Sequence, residues 1–287
     1  MNKAKGTLIP IGGNEDKGLK ENELYSLEFI DEGILFHVVK EAGGIDAKIV
    51  IIPTASSIPV EVGENYIEAF TSLGCKNIHV LDIRSKEDSE KQHAIALIKT
   101  ANCIMFSGGD QSKISKRIGG TTIHNILVDR YKNEEGFVIA GTSAGAMAMT
   151  QKMIAGGSAT EAFIKGAVTM YEGLGLIPEL IIDTHFIRRG RFGRQSEAVA
   201  KFPNLVGIGL AEDTGMIIKN GTNSTVIGSG MVIVFDGNEL THNNERLLKE
   251  GTPMTMAHMI VHVLSNGDQY DIKNRKVTVL PIEAPFI

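Results

Sequence analysis

Short runs of apolar, β-branched residues alternate along the chain with longer segments whose apolar positions recur at helical spacing. The runs occupy residues 7–11, 48–53, 77–83, 102–106, 137–140, 180–183 and 205–210. Several are apolar at consecutive positions, the pattern of strands covered on both faces. Between them, residues 31–42 place Ile34, Leu35, Val38 and Val39 on one face of a helix. Residues 59–73 open with Pro59, carry Val62, Tyr66, Ile67 and Phe70, and meet Gly74 as a stop. Residues 85–99 begin with a Ser-x-x-Asp capping signal, Ser85 and Asp88, and residues 122–131 form a further helical candidate. Strand and helix alternating in this way predict an α/β fold with a mostly parallel sheet and helices on both faces.

After about residue 205 the texture changes. Residues 217–219, 225–228 and 231–235 read as short strands separated by Asn-Gly and Gly-Ser turns, and 259–264 and 276–280 flank a turn-rich stretch. These C-terminal segments are expected to be antiparallel strands that extend or cap the sheet. With no Pro- or Ser-rich linker, charge block or internal repeat, residues 1–287 read as a single domain.

Composition narrows the class of function. At 43% hydrophobic and 22% charged residues the chain matches globular proteins, which excludes disorder. A formal net charge of -5 offers no broad attraction to nucleic acid or anionic lipid. No stretch reaches the roughly 18 apolar residues of a membrane helix. Met1-Asn2-Lys3-Ala4-Lys5-Gly6 leads straight into a strand-like run without a signal-peptide core. Cys75 and Cys103, far apart and without metal-ligand spacing, read as buried thiols in a reducing compartment. The expectation is a cytoplasmic protein with no nucleic-acid or membrane partner. The 32 glycines, about 11% of the 287 residues against a typical ~7%, gather at the ends of apolar runs, where a chain turns tightly and lets something approach its backbone.

The most informative of these glycines flank a serine. Gly141-Thr142-Ser143-Ala144-Gly145-Ala146 follows the run 137–140 and leads into a helix-compatible segment, the strand-to-helix context of a G-x-S-x-G nucleophile elbow. Such a turn strains its central residue and leaves no room for side chains at the glycine positions. It would also place the Ser143 hydroxyl beside the Ala144 N–H, a donor for an oxyanion. The same residues would equally build a tight turn with a capping serine or a phosphate-binding loop. A second cluster, Ser107-Gly108-Gly109-Asp110-Gln111, ends the run 102–106, and ligands collect at such C-terminal strand ends. Its bare backbone N–H groups could serve an oxyanion, and Gln111 could orient a substrate amide.

A serine nucleophile needs a base, and the chain has eight histidines. His185 is the candidate, since it follows the strand-like 180–183 at a C-terminal strand edge. The third member should be a carboxylate that fixes the imidazole tautomer. Glu212, just past the run 205–210, is favoured by position, and Glu161, in the irregular-looking stretch after the elbow helix, is its rival. The order Ser, His, Glu differs from that of ordinary α/β-hydrolases and argues against an esterase. Arg188-Arg189-Gly190-Arg191-Phe192-Gly193-Arg194 holds four of the nine arginines in seven residues, beginning three residues after His185. Guanidinium groups bind carboxylates in bidentate fashion, so the cluster points to a substrate carrying carboxylates. The alternative is a basic helix start paired with acidic neighbours such as Glu197.

Taken together, these segments resemble the serine-peptidase family that includes cyanophycinase and dipeptidase E. The resemblance rests on Ile9-Pro10-Ile11-Gly12-Gly13, Ile52-Pro53-Thr54-Ala55-Ser56, Phe106-Ser107-Gly108-Gly109-Asp110-Gln111, the elbow, Asp183-Thr184-His185-Phe186 with its arginines, and Gly209-Leu210-Ala211-Glu212-Asp213-Thr214. It spans about residues 6 to 280. It implies a three-layer, class I glutamine amidotransferase-like sandwich with serine as nucleophile and no metal or organic cofactor. It further implies Ser143 as nucleophile, His185 as base, Glu212 or Glu161 as orienting acid, and Gly109 and Ala144 as oxyanion donors. Gln111, Asp183, Arg189, Arg191 and Arg194 match positions of the family's substrate pocket. The implied substrate is a peptide with aspartyl carboxylates, either cyanophycin, cleaved to β-Asp-Arg dipeptides, or a short aspartyl or isoaspartyl peptide. Arginines would hold the carboxylates and Asp183 a cationic arm. Dimers are common for scaffolds of this kind. A non-catalytic small-molecule-binding module is the alternative from another class.

Overall fold

The computed structural model describes residues 4–19, 27–157 and 161–280. Its centre is a nine-stranded sheet. The apolar runs β1 (Thr7–Ile11), β2 (Ile49–Ile52), β3 (Ile78–Val80), β4 (Cys103–Phe106) and β5 (Val138–Thr142) form its parallel half, in the order β1-β5-β4-β2-β3. Alternation along these strands separates two apolar layers. Leu8, Val50, Ile52, Ile104, Phe106 and Ile139 face one; Ile9, Ile11, Ile49, Ile51, Met105 and Val138 face the other. The second layer is closed by α1 (Ile34–Glu41) and α2 (Pro59–Ser72), through residues such as Leu35 and Phe70. The first is closed by α3 (Gln92–Thr100), α4 (Gln111–Ile118), α5 (Thr122–Asn133) and the short α6 (Ala144–Ala148), through Ile98, Ile114, Leu127 and Met147. The result is helix, sheet, helix, as the run pattern predicts.

Beyond α6 come a hairpin of β6 (Lys152–Gly157) and β7 (Val168–Glu172), then β8 (Leu180–Asp183), α7 (Phe192–Lys201) and β9 (Val206–Leu210). The remaining strands are β10 (Thr214–Lys219), β11 (Asn223–Gly228), β12 (Val232–Asp236), β13 (Ile260–Leu264), β14 (Gln269–Asp271) and β15 (Lys276–Thr278). Four of them extend the central sheet antiparallel beyond β1, in the order β15-β14-β11-β10-β1. The other two join β8 and β9 in a separate four-stranded sheet, β13-β12-β9-β8.

Two local readings change. The apolar runs at β8 and β9 are strands, parallel to each other, but they do not enter the central sheet. Hydrophobic patterning reports that a strand is buried, not which strand it pairs with, and the place beside β1 is taken by β10. One face of the small sheet packs into the core layer beneath α3 to α6 through Leu180, Ile182, Val206 and Ile208. Ile233 and Phe235 of β12 pack in a separate cluster with Phe186 and with Val199 of α7. The stretch after the elbow helix, read as irregular, contains the β6–β7 hairpin. Gly156 and Gly157 in β6 mask its strand pattern, because glycine weakens the apolar alternation on which such readings depend. Ser158, Ala159 and Thr160 lie outside the described residues.

Candidate active site

Strands from both sheets bring the site together. β5 ends at Thr142 and α6 begins at Ala144, so Ser143 alone makes the turn, at φ 50 and ψ -109. This left-handed backbone is costly for a residue with a Cβ, on the order of 1–3 kcal/mol, and is found at functional turns. The flanking glycines are required sterically. A Cβ on Gly145 would lie 2.6 Å from the Phe106 carbonyl oxygen, and one on Gly141 would lie 2.7 Å from the Gly145 carbonyl carbon. The Ser143 N–H donates to the Ile11 carbonyl at 2.9 Å, fastening the turn to β1.

His185 follows β8 and also has a positive φ, 47°. Its N–H donates to the Gly12 carbonyl at 2.8 Å, which draws it from the small sheet onto the end of β1. Its Nε2 lies 3.1 Å from Ser143 Oγ, and its Nδ1 lies 2.8 Å from Glu212 Oε1. With Nδ1–H donated to the carboxylate, Nε2 is left as the acceptor for the serine proton. Glu212 stands two residues past β9 and also receives Arg188 Nη1 at 3.1 Å and Asn14 Nδ2 at 2.9 Å. Both imidazole nitrogens are thus engaged by Ser143 and Glu212; Glu161, the rival acid, is exposed in the turn region between β6 and β7.

Burial lowers the pKa of His185, and Arg189 and Arg191 lower it further, against the opposing pull of Glu212. The imidazole therefore stays neutral, and able to take a proton, to lower pH than an ordinary histidine. Burial pushes the Glu212 carboxyl up, but hydrogen bonds from His185 and Arg188 outweigh this and hold it below its ordinary value. The hydrogen bonds thus favour its anionic form.

The second glycine cluster lies against the elbow. A Cβ on Gly108 would come 3.4 Å from the Ser143 Cβ, and Gly109 has φ +138 with the Ala55 carbonyl oxygen 2.2 Å from its Cβ position. Only glycine fits at 109, next to the Gly108 that meets Ser143, and Ala144 directly follows the candidate nucleophile at the start of α6. Gln111 at the start of α4 donates Nε2 to the Ile154 carbonyl at 2.8 Å, so part of its hydrogen-bonding capacity ties α4 to β6.

Asp183 is corrected most sharply. It is fully buried, at 0% exposure, and does not present its carboxylate to a cationic arm. Oδ1 receives Arg191 Nη1 at 2.9 Å, Arg194 Nη2 at 2.5 Å and the Thr184 N–H at 2.8 Å, while Oδ2 receives Arg194 Nε at 2.7 Å. Arg194 is itself buried and committed to this pair. The arginine run therefore divides: Arg194 builds the wall, Arg191 is shared between Asp183 and the Thr184 carbonyl, and Arg188 and Arg189 are exposed beside His185. Glu197 accepts the Gly166 N–H at 2.7 Å. The sequence does not single out Asn14 or Glu15, whose nearest signal is the Gly12-Gly13 pair at the end of β1, and it marks Arg188 only as part of the arginine run.

Fold and site together define a serine-type peptidase, and the comparisons agree. The profile of Peptidase family S51 matches residues 28–226, and the chain belongs to that family. Among curated relatives, a cyanophycinase from Trichormus variabilis is 37% identical over 277 residues, covering 96% of this chain and 88% of its own. One from Geminocystis herdmanii is 34% identical, covering 95% and 96%. A solved peptidase from an acI-B1 Actinobacterium superposes with a TM-score of 0.59 at 19% identity, over 91% of this chain and 99% of that one, a likeness of fold. Among the described residues, no helix is long and apolar enough to cross a membrane.

Proposed function

We propose that this chain is a cytoplasmic exopeptidase that hydrolyses cyanophycin, multi-L-arginyl-poly-L-aspartate, to β-Asp-Arg dipeptides. The observation that carries the chemistry is the continuous hydrogen-bonded series Ser143, His185, Glu212 at a strained strand-to-helix turn. Relatives named cyanophycinase, similar over nearly the whole chain, support the choice of substrate.

In this reading His185 Nε2 takes the proton of Ser143 Oγ as the oxygen attacks the scissile carbonyl. The Gly109 and Ala144 N–H groups stabilise the oxyanion, whose charge appears only in the transition state. The new imidazolium is stabilised by Glu212 and passes its proton to the leaving amine. Water, deprotonated by the same imidazole, then releases the acyl group from Ser143. The exposed Arg189 engages aspartyl carboxylates of the substrate, and Arg191, half-buried on Asp183, adds positive charge to the same side of the site.

The test is mass spectrometry of products after incubation of the protein with cyanophycin, beside a Ser143→Ala control and a panel of α- and β-aspartyl dipeptides. Release of β-Asp-Arg by the wild type alone is expected. Serine-dependent cleavage of dipeptides with the polymer untouched would move the substrate to short aspartyl or isoaspartyl peptides. Undiminished turnover by Ser143→Ala would overturn the mechanism.

A further inference from the structure

Six consecutive residues at the end of β1 each meet a part of the candidate triad or its supports. The Ile11, Gly12 and Gly13 carbonyls accept the N–H groups of Ser143, His185 and Asp213 at 2.9, 2.8 and 2.9 Å. Asn14 Nδ2 donates to Glu212 Oε1 at 2.9 Å, the oxygen that also receives His185 Nδ1. Glu15, buried at 4% exposure, accepts the Thr142 hydroxyl at 2.6 Å, Lys17 Nζ at 2.9 Å and the Tyr66 hydroxyl. The Asp16 N–H donates to Asp213 Oδ1 at 3.0 Å. The backbone contacts alone would join β1 to its neighbours. The two side chains go further, one reaching the acid and the other the residue before the nucleophile.

Burying a carboxylate is unfavourable unless it is fully hydrogen-bonded. Three donors converge on Glu15, and one is the hydroxyl of the residue on which the elbow pivots. From this we infer that Asn14 and Glu15 are positioning residues for the reaction. Asn14 holds the Glu212 carboxylate against His185, and Glu15 fixes Thr142 so that Ser143 emerges at the correct angle. This rests on the reading of Ser143, His185 and Glu212 as a triad. Neither residue touches the reacting atoms; each acts through a group that does.

Asn14 allows a test with little steric change. Its backbone is left-handed, φ 48, a conformation that aspartate tolerates as well as asparagine. Asn14→Asp keeps the shape, removes the N–H donor and sets a second anion beside Glu212. Asn14→Gly removes the side chain without backbone strain. The readouts are kcat and KM on the cleaved peptide, the pH dependence of kcat/KM, and the rate at which a fluorophosphonate labels Ser143.

For Asn14→Asp, kcat and the labelling rate are expected to fall at least about tenfold with KM little changed, as for a misaligned catalytic group. The acid limb should move to higher pH. The groups that set the His185 charge are Glu212, Arg189 and Arg191, with Arg188 across Glu212, and an added anion favours the imidazolium. Asn14→Gly should lower kcat with a smaller shift of the limb. Glu15→Gln, which keeps an acceptor oxygen and loses the charge, should also lower kcat at near-constant KM. If it folds poorly, the Asn14 pair decides. Wild-type kcat and pH profile in Asn14→Asp, with Ser143→Ala inactive, would sink this inference and leave the triad intact. Turnover by Ser143→Ala would remove the triad itself.

Discussion

His185 is pulled in two directions, and the balance has a measurable consequence. Burial and the nearby Arg189 and Arg191 disfavour its charged form, while Glu212 favours it, and the net shift is downward from 6.5. A general base must be neutral to work, so activity persists as pH falls until the imidazole protonates. The acid limb of kcat/KM is therefore expected below pH 6.5. Arg189→Gln removes one of the charges that lower it, so the limb should move upward; a downward or absent shift would contradict this balance. Glu212→Gln keeps the shape but loses the charge and favours the wrong tautomer, and should cut kcat by about 10⁴. At this scale the sequence was informative where chemistry is local. The elbow could be read because strand, glycine, serine, glycine and helix are adjacent. The roles of Asp183 and Arg194 could not, because nothing in Asp183-Thr184-His185 says that the aspartate turns inward and closes on guanidinium groups eight and eleven positions later. Only the fold sets that burial.

Elements meet at glycines here, and two of these should fail differently. Gly13 has φ +106, and a Cβ there would fall 2.4 Å from the His185 ring. Gly13→Ala should displace the imidazole and lower kcat by at least about tenfold. Gly145 packs its α-carbon against the end of β4, where a Cβ would strike the Phe106 carbonyl at 2.6 Å. Gly145→Ala should cost about 1–3 kcal/mol of stability, read from denaturant unfolding, as overpacked cores do. The Asp183 ion pairs tie β8 to α7, and Asp183→Ala would leave Arg194 buried without its counter-charge. A loss of about 3–5 kcal/mol is expected, again by denaturant unfolding, and an unchanged midpoint would mean that the pair is not structural. The helices and parallel strands were legible from apolar spacing because that spacing reflects burial. The division of β8 and β9 into a second sheet was not, since strand partnership depends on contacts distant in sequence.

For the whole molecule, the decisive feature is that the site straddles two sheets. Ser143 leaves β5 in the nine-stranded sheet, whereas His185 and Glu212 follow β8 and β9 in the four-stranded one. The chain crosses back into the larger sheet only two residues after Glu212, at β10. The 3.1 Å between Ser143 Oγ and His185 Nε2 is thus a gauge of how closely the sheets are seated. Catalysis fails when that gap opens by about an ångström, whereas strand and helix content does not register it. Turnover and fluorophosphonate labelling should therefore fade at lower denaturant than far-UV circular dichroism, and coincident curves would argue against this. Conversely, an adduct on Ser143 that also grips the imidazole would rivet the sheets together, raising the melting temperature of the whole protein from a single covalent bond.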